Sequence, residues 1–241
     1  MEELDEDTLY NIQESNHHPA NPVPPTAPAA DAEQDPETQR KSYSVIIGDS
    51  NTRGLNLRED LPIQIIPQSV GGTTVQDVEK RMTQIQVSPL EVMVAVLHVG
   101  TCNWKATNKE VISGDTVYTQ YIEALNEVTN KFPHAELVVS SVPLRDRRHP
   151  EERNEKINLE ITRLNTKLQA LGDSESNITY IDNNEGLTIG NVPDSSLYTR
   201  ADFLGVHLNE KGRMILADNI SSGIQETYHR AAMREEWSIM E

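Results

Sequence analysis

Val45-Ile46-Ile47-Gly48-Asp49-Ser50-Asn51-Thr52-Arg53-Gly54 passes from an apolar run directly into a turn of small polar residues. Consecutive β-branched side chains favour a buried strand, and the Gly, Asp, Ser and Asn that follow favour a tight turn. Ser50 therefore falls just past the C-terminal edge of a strand, where an α/β protein presents its ligand-binding groups. Two readings of this turn stand side by side. Ser50 is either a nucleophile placed at a strand end or part of a helix N-cap, for which Asp49, Ser50 and Asn51 are all suited.

The rest of the chain repeats the pattern. β-rich runs at Tyr43–Ile47, Ile63–Ile66, Val92–His98, Leu137–Val142 and Ile178–Ile181 alternate with longer stretches at helical spacing. One face collects Val75, Val78 and Met82, another Val117, Tyr121, Leu125 and Val128. Ile157, Ile161, Leu164, Leu168 and Leu171 make a third stripe, and Leu216, Ile220, Ile224 and Tyr228 a fourth. Such stripes are packing faces. Alternating strand and helix predicts a mostly parallel sheet with helices on both sides and ligands at the strand C-terminal ends.

Composition limits what this domain can bind. The 241 residues carry 38 acidic against 21 basic side chains, a formal charge of -17, and a single cysteine, Cys102. An excess of acid gives no general attraction to phosphate backbones, so bulk nucleic-acid binding is not expected. One cysteine cannot form an intramolecular disulfide. Val92–Val99, the most apolar run, is too short to span a bilayer, so no membrane span is expected. The start, Met1-Glu2-Glu3-Leu4-Asp5-Glu6-Asp7, is acidic where a secretory signal is basic and then apolar. A cytoplasmic protein is expected.

The acidity is uneven. Residues 1–42 hold ten acidic side chains against Arg40 and Lys41, and six of the 13 prolines. They have too few large apolar residues to offset the entropy of ordering, and they read as a disordered acidic, Pro-rich tail, a docking arm or a solvated spacer. Residues 43–230 suit one α/β domain with a sizeable core, and 231–241 a frayed C-terminal end.

Three further segments fall at strand ends or near the C-terminus, in order: Gly71-Gly72-Thr73-Thr74-Val75, His98-Val99-Gly100-Thr101-Cys102-Asn103, and Gly205-Val206-His207-Leu208-Asn209-Glu210-Lys211-Gly212. With Gly48-Asp49-Ser50 this ordered set resembles the sequence blocks of the SGNH (GDSL-like) hydrolases over residues 43 to about 228. The resemblance implies a three-layer α/β/α sandwich around a mostly parallel five-stranded, flavodoxin-like sheet, and a small-molecule ester substrate. It implies no metal and no organic cofactor. It makes Ser50 the nucleophile, His207 the general base, and Ser50, Gly72 and Asn103 the oxyanion-hole donors. The chemistry of such a set is general: a serine hydroxyl is a poor nucleophile until an imidazole takes its proton, and the developing oxyanion needs preorganised donors.

Two positions depart from the family pattern. The asparagine expected two residues after the block-three glycine is Cys102, and a thiol is a weaker donor than an amide. The orienting aspartate expected three residues before the base is Leu204, with Asp202 two residues out of place. A Ser50–His207 dyad follows, slow relative to an intact triad. A weak esterase for small acyl or acetyl esters and a catalytically impaired binding or scaffold module are both consistent with this. Cys102 itself reads as a buried small apolar residue or as a cleft thiol. Arg145, Arg147 and Arg148 read as anion recognition or as salt bridges to Glu151 and Glu152.

Overall fold

The structure, a computed structural model, describes residues 42–104, 110–148 and 151–239. The expected acidic tail lies outside these residues except for Ser42. Strands β1 (Tyr43–Gly48), β2 (Gln64–Ser69), β3 (Val92–His98), β4 (Glu136–Ser140) and β5 (Ile178–Ile181) form one sheet in the order β2-β1-β3-β4-β5. Every pairing is parallel. All five apolar runs of the sequence are therefore strands. β2 extends beyond its expected end to Ser69 and takes in Pro67, which is tolerated because β2 lies at the sheet edge.

Side chains alternate across the sheet. Val45, Ile47, Ala95, Leu97, Leu137 and Val139 face α1 (Val78–Met82), α2 (Gly114–Lys131) and α3 (Glu151–Ser174). Ile46, Val94, Val96 and Val138 face the opposite layer, built after the short α4 (Asn184–Leu187) from α5 (Glu210–Ile239) with Leu216, Ile220 and Ile224. The result is a three-layer α/β/α sandwich. Burying one aliphatic side chain is worth roughly 1.5–3 kcal/mol, whereas a helix-propensity difference among ordinary residues is at most about 0.7 kcal/mol. The stripes therefore decide, and β-branched Val117, Ile157 and Ile220 sit in helices as fully buried residues. α2 begins where Ser113 caps it, its hydroxyl accepting the Thr116 N–H at 3.1 Å.

α5 continues past the boundary expected at residue 230, to Ile239. Its last turns are held by charge: Arg230 and Arg234 each lie 2.6 Å from a carboxylate oxygen of the buried Glu136, and Arg234 also donates to the Ser176 carbonyl at 2.9 Å. No helix among the described residues is long and apolar enough to cross a membrane.

The strand order reverses between β1 and β3, so the loops leaving these two strands diverge and open a crevice at their C-terminal ends. The candidate site occupies this crevice.

Candidate active site

The turn after β1 is fixed from within. The Asp49 N–H donates to the His98 carbonyl at 3.1 Å, and its buried carboxylate accepts the Asn51 N–H at 2.9 Å and the Thr101 hydroxyl. Asp49 thus makes the local side-chain-to-backbone turn, and Ser50 lies half-buried at the crevice between two anchored neighbours. Asn51 reaches across the molecule: its Nδ2 donates to the Val206 carbonyl at 3.3 Å, and its Oδ1 accepts the Leu208 N–H at 3.2 Å. The residue after Ser50 therefore clamps the backbone on both sides of His207. Sequence reading saw Asn51 only as a capping residue.

His207 sits on a loop that wraps around one carboxylate. Asp202 Oδ2 accepts the Val206 N–H at 2.6 Å and the His207 N–H at 2.7 Å, and lies 3.0 Å from His207 Nδ1. Asp202 Oδ1 accepts the Leu204 N–H at 3.0 Å. The return of the chain requires Gly205, whose φ of +63° is in the left-handed region and where an added Cβ would stand 2.5 Å from the Asp146 carbonyl oxygen. A carboxylate meets the second ring nitrogen of His207, supplied from position 202 and not from position 204. Burial alone would raise the Asp202 carboxyl, but backbone N–H bonds from His207, Leu204 and Val206 and the nearby imidazole bring it below the usual carboxylate range.

Ser50, Gly72 and His207 line one cavity of about 520 Å³, together with Cys102, Trp104 and Leu204. A larger hollow of about 760 Å³, between Gly54–Asn56 and the start of α5, contains none of Ser50, Gly72 and His207. Gly72 has φ +81°, the turn geometry that a glycine supplies without strain.

Asn103 departs from expectation. It is buried and not among the cavity residues; its Oδ1 accepts the Val75 N–H at 3.1 Å and its Nδ2 donates to Gln120 Oε1 at 2.9 Å. It ties the loop after β3 to the α1 and α2 segments instead of facing the crevice. Cys102 takes the cavity position, half-buried and not in the core. Burial and the nearby Asp49 carboxylate push its thiol up, against smaller opposing effects of Thr101, the Gly72 N–H and Arg145. Trp104 is buried with its indole N–H on the Ile112 carbonyl at 2.7 Å, and it also lines the cavity.

The cationic cluster divides. Arg148 pairs with Asp146, Arg147 with Glu155 at 3.6 Å, and Glu152 with Lys156 at 2.9 Å; the side chain of Glu151 lies outside the described residues. Arg145 is buried at the cavity. His98 is a core histidine, its Nδ1 2.9 Å from the Ser140 hydroxyl and its pKa lowered by burial, against a smaller opposing effect of Asp49.

No family model matches the sequence, and no curated protein sequence matches it. Solved structures do match. A Bacteroides fragilis protein assigned as an acylhydrolase superposes with a TM-score of 0.60 at 16% identity, covering 79% of this chain and 89% of its own. A GDSL-like lipase of Bacteroides thetaiotaomicron gives 0.58 at 18% identity, with 77% and 88% covered. The OSK domain of Drosophila Oskar gives 0.55 at 13% identity, with 74% and 86% covered. At these identities the likeness speaks for the fold, and one fold carries many activities. The chain has the fold of the SGNH (GDSL-like) hydrolases.

Proposed function

We propose that the protein is a serine esterase of the SGNH type, acting on small acyl or acetyl esters through Ser50, His207 and Asp202. The observation that supports this most directly is the 3.0 Å contact between Asp202 Oδ2 and His207 Nδ1 at the rim of the cavity that also holds Ser50. A carboxylate on Nδ1 fixes the tautomer that leaves Nε2 free to accept a proton and stabilises the imidazolium that forms. His207 Nε2 takes the Ser50 hydroxyl proton as Oγ bonds to the acyl carbon. The carbonyl π electrons move onto oxygen, where the N–H groups of Ser50 and Gly72 are the donors. Collapse breaks the bond to the alcohol oxygen, which leaves with the proton from His207. Water, deprotonated by the same histidine, then releases the acid and restores Ser50.

Cys102 replaces the third donor of the family pattern, and Asn103 does not substitute for it. Losing one such donor costs roughly 10²–10³ in rate in serine hydrolases, so turnover is slow. The same substitution is the one observation that favours a second reading, a binding module that keeps the fold without the chemistry. Turnover of 4-nitrophenyl acetate and labelling by a fluorophosphonate probe decide between them. Both are expected in the native chain and absent in a folded Ser50→Ala variant. Neither activity nor labelling in the native chain would leave the binding module.

A further inference from the structure

The cavity that holds Ser50 and His207 is lined by two arginines, Arg53 and Arg145, while the carboxylate behind it, Asp202, is engaged by the His207 ring and by three backbone N–H groups. In a chain with 38 acidic and 21 basic side chains, such a wall is the reverse of the overall charge. The remaining wall is largely apolar, with Trp104, Leu204 and Val206.

Arg145 is 3% exposed. Its Nη2 donates to the carbonyls of Thr101 at 2.9 Å and Trp104 at 2.6 Å, while its Nε is buried without a hydrogen-bond partner. Among the described residues its neighbours Arg147 and Arg148 each pair with a carboxylate, and Arg145 pairs with none. Asp202 acts on this guanidinium only from beyond ion-pair distance, and Arg153 adds a like charge, so Arg145 keeps a desolvation cost that an incoming anion reduces. Burial brings Arg145 down to about 10, which leaves it cationic at neutral pH. Arg53 approaches from the exposed side. Its Nη1 and the Ser50 Cβ each lie 4.0 Å from the point where a Cβ on Gly71 would stand, so this second guanidinium hangs over the same glycine as the nucleophile. Bracing the loop after β3 engages Nη2 of Arg145 alone. It accounts neither for the unpaired Nε nor for a second arginine beside Ser50.

Resting on the esterase reading, we propose that the substrate of this site is a small ester bearing an anionic group, a carboxylate or a phosphate, held by Arg145 and Arg53 while Ser50 attacks the acyl carbon. Guanidinium groups suit both anions, since their planar donor forks match carboxylate and phosphate oxygens. The apolar wall accommodates the carbon chain between anion and ester.

Two matched pairs of esters test this and separate the two anions. Mono-4-nitrophenyl adipate is compared with 4-nitrophenyl hexanoate, and 2-acetoxyethyl phosphate with 2-hydroxyethyl acetate. At least one charged ester is expected to exceed its neutral counterpart about tenfold or more in kcat/KM, the scale of one charge-assisted hydrogen bond. That ratio should shrink with added salt and in both Arg53→Gln and Arg145→Gln. Arg145→Gln removes two loop contacts and can fail to fold; exposed Arg53 then carries the mutational test. Neutral esters preferred in both pairs, or a charge preference that Arg53→Gln leaves intact, would overturn the proposal while the esterase reading survives. If no ester is cleaved, the esterase reading fails, and the anion site is judged by calorimetric titration of Ser50→Ala with adipate and with inorganic phosphate. Saturable binding weakened by Arg53→Gln would keep the anion site, and no binding would remove it.

Discussion

Asp202 Oδ2 lies 3.0 Å from the ring Nδ1 of His207 and accepts the backbone N–H of the same histidine at 2.7 Å. One carboxylate oxygen thus sets both the position of the loop and the orientation of the imidazole. The two functions separate on substitution, because an amide at 202 still accepts backbone N–H bonds but no longer carries the charge that stabilises an imidazolium. Asp202→Asn is expected to lower kcat for 4-nitrophenyl acetate by about 10²–10⁴ with little change in KM. A rate within a few-fold of the native one would show that Asp202 folds the loop without serving the base.

The same residue gives a pH signature. Its carboxyl is held below the ordinary value in the folded chain, so the ionised form is the one that stabilises the fold. The contribution is fully present above about pH 4, the unfolded value, and is lost as pH falls through the lower folded value. In urea titrations, the stability gap between the native chain and Asp202→Asn should therefore hold steady from neutral pH down to about pH 4 and close below it. A gap that instead widened on acidification would contradict the hydrogen-bonded carboxylate.

Cys102 lines the cavity, and in the proposed esterase it stands where a side-chain amide would complete the oxyanion donors. Cys102→Asn is expected to raise kcat/KM, by up to about 10²-fold, without loss of thermal stability, since the position is only half-buried. An unchanged rate would mean that the side chain at 102 does not reach the oxyanion. The native thiol, raised by burial and by Asp49, should alkylate with iodoacetamide more slowly than glutathione at pH 7.5.

Asn51 is 2% exposed and spans from the Ser50 turn to the backbone flanking His207. Asn51→Ala leaves the Leu208 N–H and the Val206 carbonyl without that partner, at a cost of about 1–3 kcal/mol in denaturant unfolding. It should also reduce kcat, because the backbone flanking His207 loses its tie to the Ser50 turn. A stable variant with native kcat would remove Asn51 from the positioning machinery.

The sheet and its helices were legible because burial writes itself into the sequence as periodicity, and every strand and stripe rests on that signal. Ser50 and His207 stand out in sequence through their short neighbouring motifs, and the fold brings both to one cavity. Asp202 stands five positions before His207, not three, and it reaches the ring because Gly205 turns left-handed and the carboxylate collects backbone N–H groups. The one local signal available was Asp202 followed three residues later by Gly205, two residue types that favour turns. Asn103 was misplaced for the opposite reason. Its neighbour in sequence lines the crevice, but the short 3-10 turn over Thr101–Asn103 carries its own amide to Val75 and Gln120. Arg145 was indistinguishable from Arg147 and Arg148 in a charge run, since only the packing of the strand end buries one of the three.

Pro67 has a consequence beyond the crevice. The N–H of Gln64 donates to Ser42 and that of Val70 to Gly48, so even-numbered residues of β2 bond towards β1 and odd-numbered ones present their N–H to the outer rim. Position 67 is odd, and proline has no N–H to present. An extended segment from another molecule that tried to continue the sheet would find the rim lacking a donor at mid-strand. Among the described residues β2 ends the sheet, and this one imide makes edge-to-edge pairing there less favourable.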